Sequence, residues 1–237
     1  MNQFLQLQSL MKTEKQFIRK KRRSNMKFVT SVILISISLG LVAKSTMSYR
    51  ERKKQLDGKI TLVLDIKEQL RLEPEVGKTS VESMRDQVEE TYRVGKRADI
   101  EKVLTLAEGE ILVTQRKLCT PMEESANGLY QKAMGLWIQM ESEEKSGAIR
   151  LEWDTKEKIQ RYLLMAKSEK DHAKEYYLSG NYQLSLHTYK RSLVYSLLTL
   201  RSQKSEIPES YQTADAAWVQ PIWMGLHKQK QTSIQEN

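Results

Sequence analysis

The sequence predicts an all-α protein: an N-terminal signal or anchor helix followed by antiparallel helical hairpins. Three observations lead there. Ten glycines and four prolines are few for 237 residues, and β-branched runs are scarce outside one apolar segment. Through nearly all the rest of the chain, apolar residues recur three or four apart, the spacing of a helix face and not the alternation of a strand.

The apolar segment is Phe28 to Ala43, FVTSVILISISLGLVA, sixteen residues without a charge. As a helix it covers about 24 Å, against roughly 30 Å of bilayer hydrocarbon. It is also slightly longer than a signal-peptide core of about 7–15 residues. Ala43-Lys44-Ser45 offers small residues for cleavage after Ser45, and Ser38-Leu39-Gly40 is a second candidate. The basic residues that follow (Lys44, Arg50, Arg52, Lys53 and Lys54) argue instead for a retained anchor. Both readings stand. No cysteine lies near the run, so a lipid-modified N-terminus is not expected. Residues 1–27 form a basic region with eight Lys and Arg against Glu14, which keeps the N-terminus cytoplasmic and sends the bulk of the chain across the membrane. Met26-Lys27 directly before the run also resembles the start of a bacterial signal peptide, so residues 1–25 are read as a candidate over-extended gene start.

The net charge of +9 suggests nucleic acid until it is divided. Residues 1–43 hold eight basic and one acidic residue, +7; the remainder holds 31 basic and 29 acidic, +2. The folded part is nearly neutral, so no nucleic-acid partner is expected. Cys119, the sole cysteine, excludes an internal disulfide and a cysteine-based metal site. Of the three histidines, His172 and His187 fall on the two arms of one predicted hairpin, too few for a metal site unaided. No catalytic or phosphate-binding motif is present, so the expectation is a non-enzyme without cofactor or metal.

The domain reading follows from breaks in the periodicity. After the basic region 1–27 and the signal or transmembrane segment 28–45, residues 46–78 read as a membrane-proximal helical segment whose apolar face runs from Ile60 to Leu72. Glu73-Pro74-Glu75-Val76-Gly77 interrupts it, and Thr79-Ser80-Val81-Glu82 supplies a capping box that opens the helical-hairpin domain, 79–207. Met84, Val88 and Thr91 or Tyr92 share one face; Gly95 punctuates; a run from Ile100 to Leu118 follows and is expected to end at Cys119. Thr120-Pro121-Met122-Glu123 then reads as a new helix start, with threonine at the cap and proline in the first turn. Gly147 and Asp154 mark the next breaks, and two further helices meet at Gly180. Residues 208–237 are read as a short helix carrying Trp218, ended by Pro221, then Trp223 and a polar tail. Trp218 and Trp223 either dock back on the bundle or anchor a partner.

The stretch Ala173, Tyr176, Gly180-Asn181-Tyr182, Ser185, Tyr189, Ser192-Leu193 resembles the middle of a tetratricopeptide repeat. The resemblance covers about 30 residues, roughly 166–200. Ala173 and Tyr176 match the small and aromatic positions of the first helix, Gly180 and Tyr182 the turn, and Tyr189 the second-helix aromatic. Ser185 and Ser192 stand where alanine is usual, Glu169 where tryptophan is common and Leu197 where proline closes the repeat. A weaker echo at Tyr92-Arg93-Val94-Gly95, Ile100, Leu104 and Ala107 lies 85 residues earlier, not a whole number of repeats. The resemblance implies a short stack of hairpins with a partner-binding groove, with Tyr176, Tyr182 and Tyr189 as partner-binding or hairpin-core residues and Gly180 as the turn. The alternative is an irregular bundle whose tyrosines are all core, and Trp218 and Trp223 join the candidates from their place near the C-terminus. The functional expectation is a protein–protein interaction scaffold of the bacterial cell envelope, either anchored in the inner membrane through 28–43 or soluble in the periplasm after cleavage. A self-associating structural helical protein is the alternative, and a periplasmic enzyme or ligand-binding protein is a third class for which no motif speaks.

Overall fold

The structure, a computed structural model, describes residues 47–72 and 78–224. The basic N-terminal region, the apolar run 28–43 and the tail from 225 lie outside the described residues. Among those described, every regular element is helical, and no helix is long and apolar enough to cross a membrane. The chain divides into two compact units, Met1–Glu51 and Arg52–Asn237.

In the first unit, Ser48 caps helix α1 (Tyr49–Gln69). Its hydroxyl accepts from the Glu51 amide at 3.2 Å, while the Glu51 carboxylate accepts from the Ser48 amide at 3.0 Å. The two satisfy each other's open donors in a capping box.

The second unit contains α1 from Arg52 on, α2 (Lys78–Val94), α3 (Arg97–Lys145), α4 (Trp153–Leu178), α5 (Tyr182–Ser202) and a C-terminal helix of mixed winding. That last element is a 3₁₀ turn, Glu209–Tyr211, an α turn, Gln212–Ala214, a π turn, Asp215–Val219, and helical residues 220–224. The layer order follows from which faces are apolar. Five consecutive residues of α5, Ser196 to Leu200, are buried; a helix covered all round must lie inside. It packs against α4, α3 and the C-terminal helix. Between α2 and α3, Gly95 sits where an added Cβ would come within 2.4 Å of the Thr91 carbonyl oxygen, so the tight corner requires glycine.

Two expected helix ends are not ends. The helix start at Thr120-Pro121 is corrected: α3 runs unbroken for 49 residues with Pro121 inside it, a rod of about 73 Å. Proline withholds the N–H that the Lys117 carbonyl would receive in the helical ladder. Yet Leu118, Cys119, Met122 and Ala126 are buried in one continuous stripe across it, and burial of that stripe outweighs the missing bond. The local signals for a helix start at Pro121 are strong, and tertiary packing overrides them. The expected stop at Pro221 is corrected likewise, since helical residues continue to 224. Here the π turn comes immediately before the proline: the Gln220 amide donates back to the Asp215 carbonyl, and the next residue, Pro221, has no N–H to place.

Candidate functional site

The hairpin of α4 and α5 is built from residues with local reasons to be there. Gly180 has φ +78°, a left-handed conformation. The Asn181 amide donates to the Tyr176 carbonyl at 2.9 Å and the Gly180 amide to Tyr177 at 3.0 Å. This pair of bonds closes α4 as a Schellman motif. Asn181 then caps α5, its side-chain oxygen accepting from the Leu184 amide at 3.4 Å. Down the crossing, Ser185 donates its hydroxyl proton to the Ala173 carbonyl at 2.8 Å and Ser192 to Ala166 at 2.7 Å. Both steps are seven residues, taken in opposite directions, so the helices stay in register for two turns, with a small residue on each side at both contacts. All four residues are fully buried. Serine in place of alanine thus adds a hydroxyl aimed at the facing backbone.

The structure separates the candidate tyrosines. Tyr189 is buried at 1 % exposure and belongs to the hairpin core. Burial, and then the Glu123 carboxylate nearby, push its phenol well above the ordinary range, and its hydroxyl makes no hydrogen bond among the described residues. Tyr182 is half-buried against Tyr177, with ring centroids 5.7 Å apart. Tyr176 is half-buried on the same tip. Beneath them Cys119 is enclosed, its thiol facing the Tyr182 carbonyl oxygen at 3.8 Å and the Ser185 hydroxyl at 3.7 Å. Burial pushes it up to about 11, so it is an inert core thiol.

The C-terminal helix brings the second set together. Trp218 docks back on the body: its indole N–H donates to Asp65 of α1 at 3.2 Å. The other Asp65 carboxylate oxygen takes the Lys190 ammonium of α5 at 2.7 Å, and that ammonium lies 4.6 Å from the centre of the Trp218 ring. One aspartate, one lysine and one tryptophan thereby tie three elements. Arg201 holds the buried Asp215 with both nitrogens, Nε to Oδ1 at 2.8 Å and Nη2 to Oδ2, fixing the π turn to α5. Tyr211 donates to the Ser125 carbonyl at 3.2 Å. Trp223 is half-buried at the end of this helix.

Beside Trp218 an open cleft of about 560 Å³ lies between α5 and the C-terminal helix. One face of α5 supplies His187, Lys190, Arg191, Val194, Tyr195 and Leu198, and the facing wall is Ala217, Trp218 and Ile222. His187 is exposed on the cleft wall; partial desolvation of its ring, with Lys190 beside it, pulls the imidazole below the usual range, against the opposing pull of Asp65. None of these α5 residues except His187 attracted notice in the sequence, because a mixed polar face on a helix reads as ordinary solvated surface. Among the described residues no three His, Cys, Asp or Glu side chains gather to hold a metal ion. No protein-family model, curated protein or solved structure matches the chain.

Proposed function

We propose that the chain is a non-enzymatic helical scaffold of the bacterial cell envelope, tethered or exported through residues 28–43, that docks a partner helix along α3. The observation that supports the reading best is a stripe on the N-terminal half of α3. Leu106 and Val113, seven residues apart, are 58 % and 53 % exposed. Gly109 between them faces open space, with nothing within 4 Å of an added Cβ. The positions share one helical face, and exposed Lys102, Glu110 and Lys117 flank it. An apolar seam with a glycine in its middle and charges at its edges is the form in which a second helix packs closely and in one register. The tetratricopeptide-like hairpin accords with such a role, its tyrosines holding the crossing while other surfaces bind.

A photo-crosslinking residue placed at Val113 in the native cell tests this. A discrete adduct with another polypeptide, absent with the same residue at exposed Arg150, is the expected result. An adduct of twice the chain mass moves the assignment to self-association, the second reading. No adduct at either position ends the scaffold assignment for this face. The N-terminal sequence of the captured chain, taken from separated membrane and soluble fractions, decides between anchor and cleaved signal.

A further inference from the structure

The cleft beside Trp218 differs in kind from the α3 stripe and stands independently of the scaffold reading. It follows one face of α5 from His187 to Leu198, three helical turns or about 16 Å. Its volume, about 560 Å³, is that of a small-ligand site; a docked helix needs a broader groove. The chemistry along it is graded. His187, Lys190 and Arg191 occupy the first turn, while Val194, Tyr195 and Leu198 line the rest opposite Ala217 and Trp218. Lys190 and Arg191 also meet carboxylates of the chain itself, Asp65 and Glu169. A lysine has three donors and an arginine five, so an incoming carboxylate shares these cations and need not displace their partners. Arg191, its side chain 60 % exposed, is open to such a ligand.

We propose that this cleft binds a free single-chain carboxylate amphiphile of the fatty-acid class, its head at Lys190 and Arg191 and its alkyl chain along Val194, Tyr195 and Leu198 under Trp218. The two requirements are separable. Each methylene entering the cleft tightens binding about fourfold, and the charge-assisted contact at the head is worth about tenfold.

The test uses the full-length chain and a dodecanoate carrying a diazirine on its alkyl chain, with labelled peptides mapped by mass spectrometry. Adducts are expected within 187–198 and 217–222. Octanoate, decanoate and dodecanoate should compete in rising order, and the methyl ester of the probe should label about tenfold less. Val194→Trp, which fills the cleft from a half-buried position, should abolish labelling without moving the melting temperature. Arg191→Glu should weaken labelling while leaving the fold intact. Labelling that ignores the head group and survives Val194→Trp overturns the proposal, as do adducts confined to other segments. Phosphatidylglycerol vesicles that compete as well as free decanoate also overturn it, since the occupant would then be a bilayer surface.

Discussion

Asp215 and Arg201 form a two-point ion pair in which the carboxylate side chain is only 6 % exposed and the guanidinium 23 %. The pair pins the π turn of the C-terminal helix to the enclosed end of α5. Wide turns are uncommon because they give up regular hydrogen-bond geometry; this one is held by a charge contact and leads directly into Pro221. The arrangement explains how the thirteen helical residues from Gln212 to 224 stay on the body although only Ala214, Asp215, Trp218 and Val219 are buried.

Asp215→Ala leaves the Arg201 charge half-enclosed and without its carboxylate. The expected loss is about 2–4 kcal/mol, below the full cost of breaking a deeply buried pair because Arg201 retains some water. Urea denaturation of the single variant measures it. The double variant Asp215→Leu, Arg201→Met should recover most of the loss. If the single change costs less than about 1 kcal/mol, the pair is an ordinary surface contact and the pinning role fails.

Ser192 donates into the Ala166 carbonyl across the α4–α5 crossing at 2.7 Å, and both residues are fully buried. Removing the hydroxyl with Ser192→Ala should cost about 0.5–1.5 kcal/mol, since that carbonyl also serves its own helix. Enlarging the side chain with Ser192→Leu should cost about 3 kcal/mol or more by forcing the helices apart. The comparison carries the information: if leucine is tolerated as well as alanine, the helices are not in close contact there.

Pro121→Ala should raise stability by about 1–3 kcal/mol, because it restores the amide that the Lys117 carbonyl lacks in an otherwise continuous helix. A melting temperature that falls would mean that the proline ring itself packs usefully in α3. The same residue shows what sequence conveys and what it does not. The Gly180 hairpin was legible because its causes are local: a left-handed glycine, an asparagine cap, and small residues and tyrosines at fixed spacing. Pro121 misled because the local signals for a helix start compete with a buried stripe whose partner, α5, lies more than sixty residues away. The cleft was illegible for a related reason. Its walls come from 187–198 and 217–222, its tie from Asp65, and no one of these segments announces the others. For Trp218 the sequence leaves two fates open; its indole bond to Asp65 lays it against the body.

Lys204 adopts φ +55° in the same closing motif that Gly180 makes at φ +78°: the Ser205 amide donates to the Leu200 carbonyl and the Lys204 amide to Arg201, each at 3.0 Å. A side chain there is conformationally costly. Lys204→Gly should therefore stabilise by about 0.5–1 kcal/mol, net of the freedom that glycine gains in the unfolded chain. Gly180→Ala should destabilise by about 1 kcal/mol; nothing lies within 4 Å of the added Cβ, so strain is the sole cause. Lys204→Ala, which removes the charge but keeps the strain, should change little. Equal gains from alanine and glycine would assign the effect to charge.

Cys119 is 2 % exposed, and burial, partly offset by the Ser185 hydroxyl, raises its thiol from 9.0 to about 11. Only the thiolate reacts. At pH 8 the folded thiol should alkylate about a hundredfold more slowly than the unfolded one on ionisation grounds alone, and more slowly still because it is enclosed. The linkage has a definite sign. Between pH 9 and 11 the unfolded chain sheds this proton while the folded chain keeps it, so the contribution of Cys119 to stability falls as pH rises through that window. Iodoacetamide rates with and without urea, followed by denaturation curves of wild type and Cys119→Ala at pH 8 and pH 10, measure both effects. Wild type should lose more stability than the alanine variant over that interval. Alkylation that is equally fast in native buffer would show that the α3–α5 contact around Cys119 opens freely, and the inert-core assignment would fall with it.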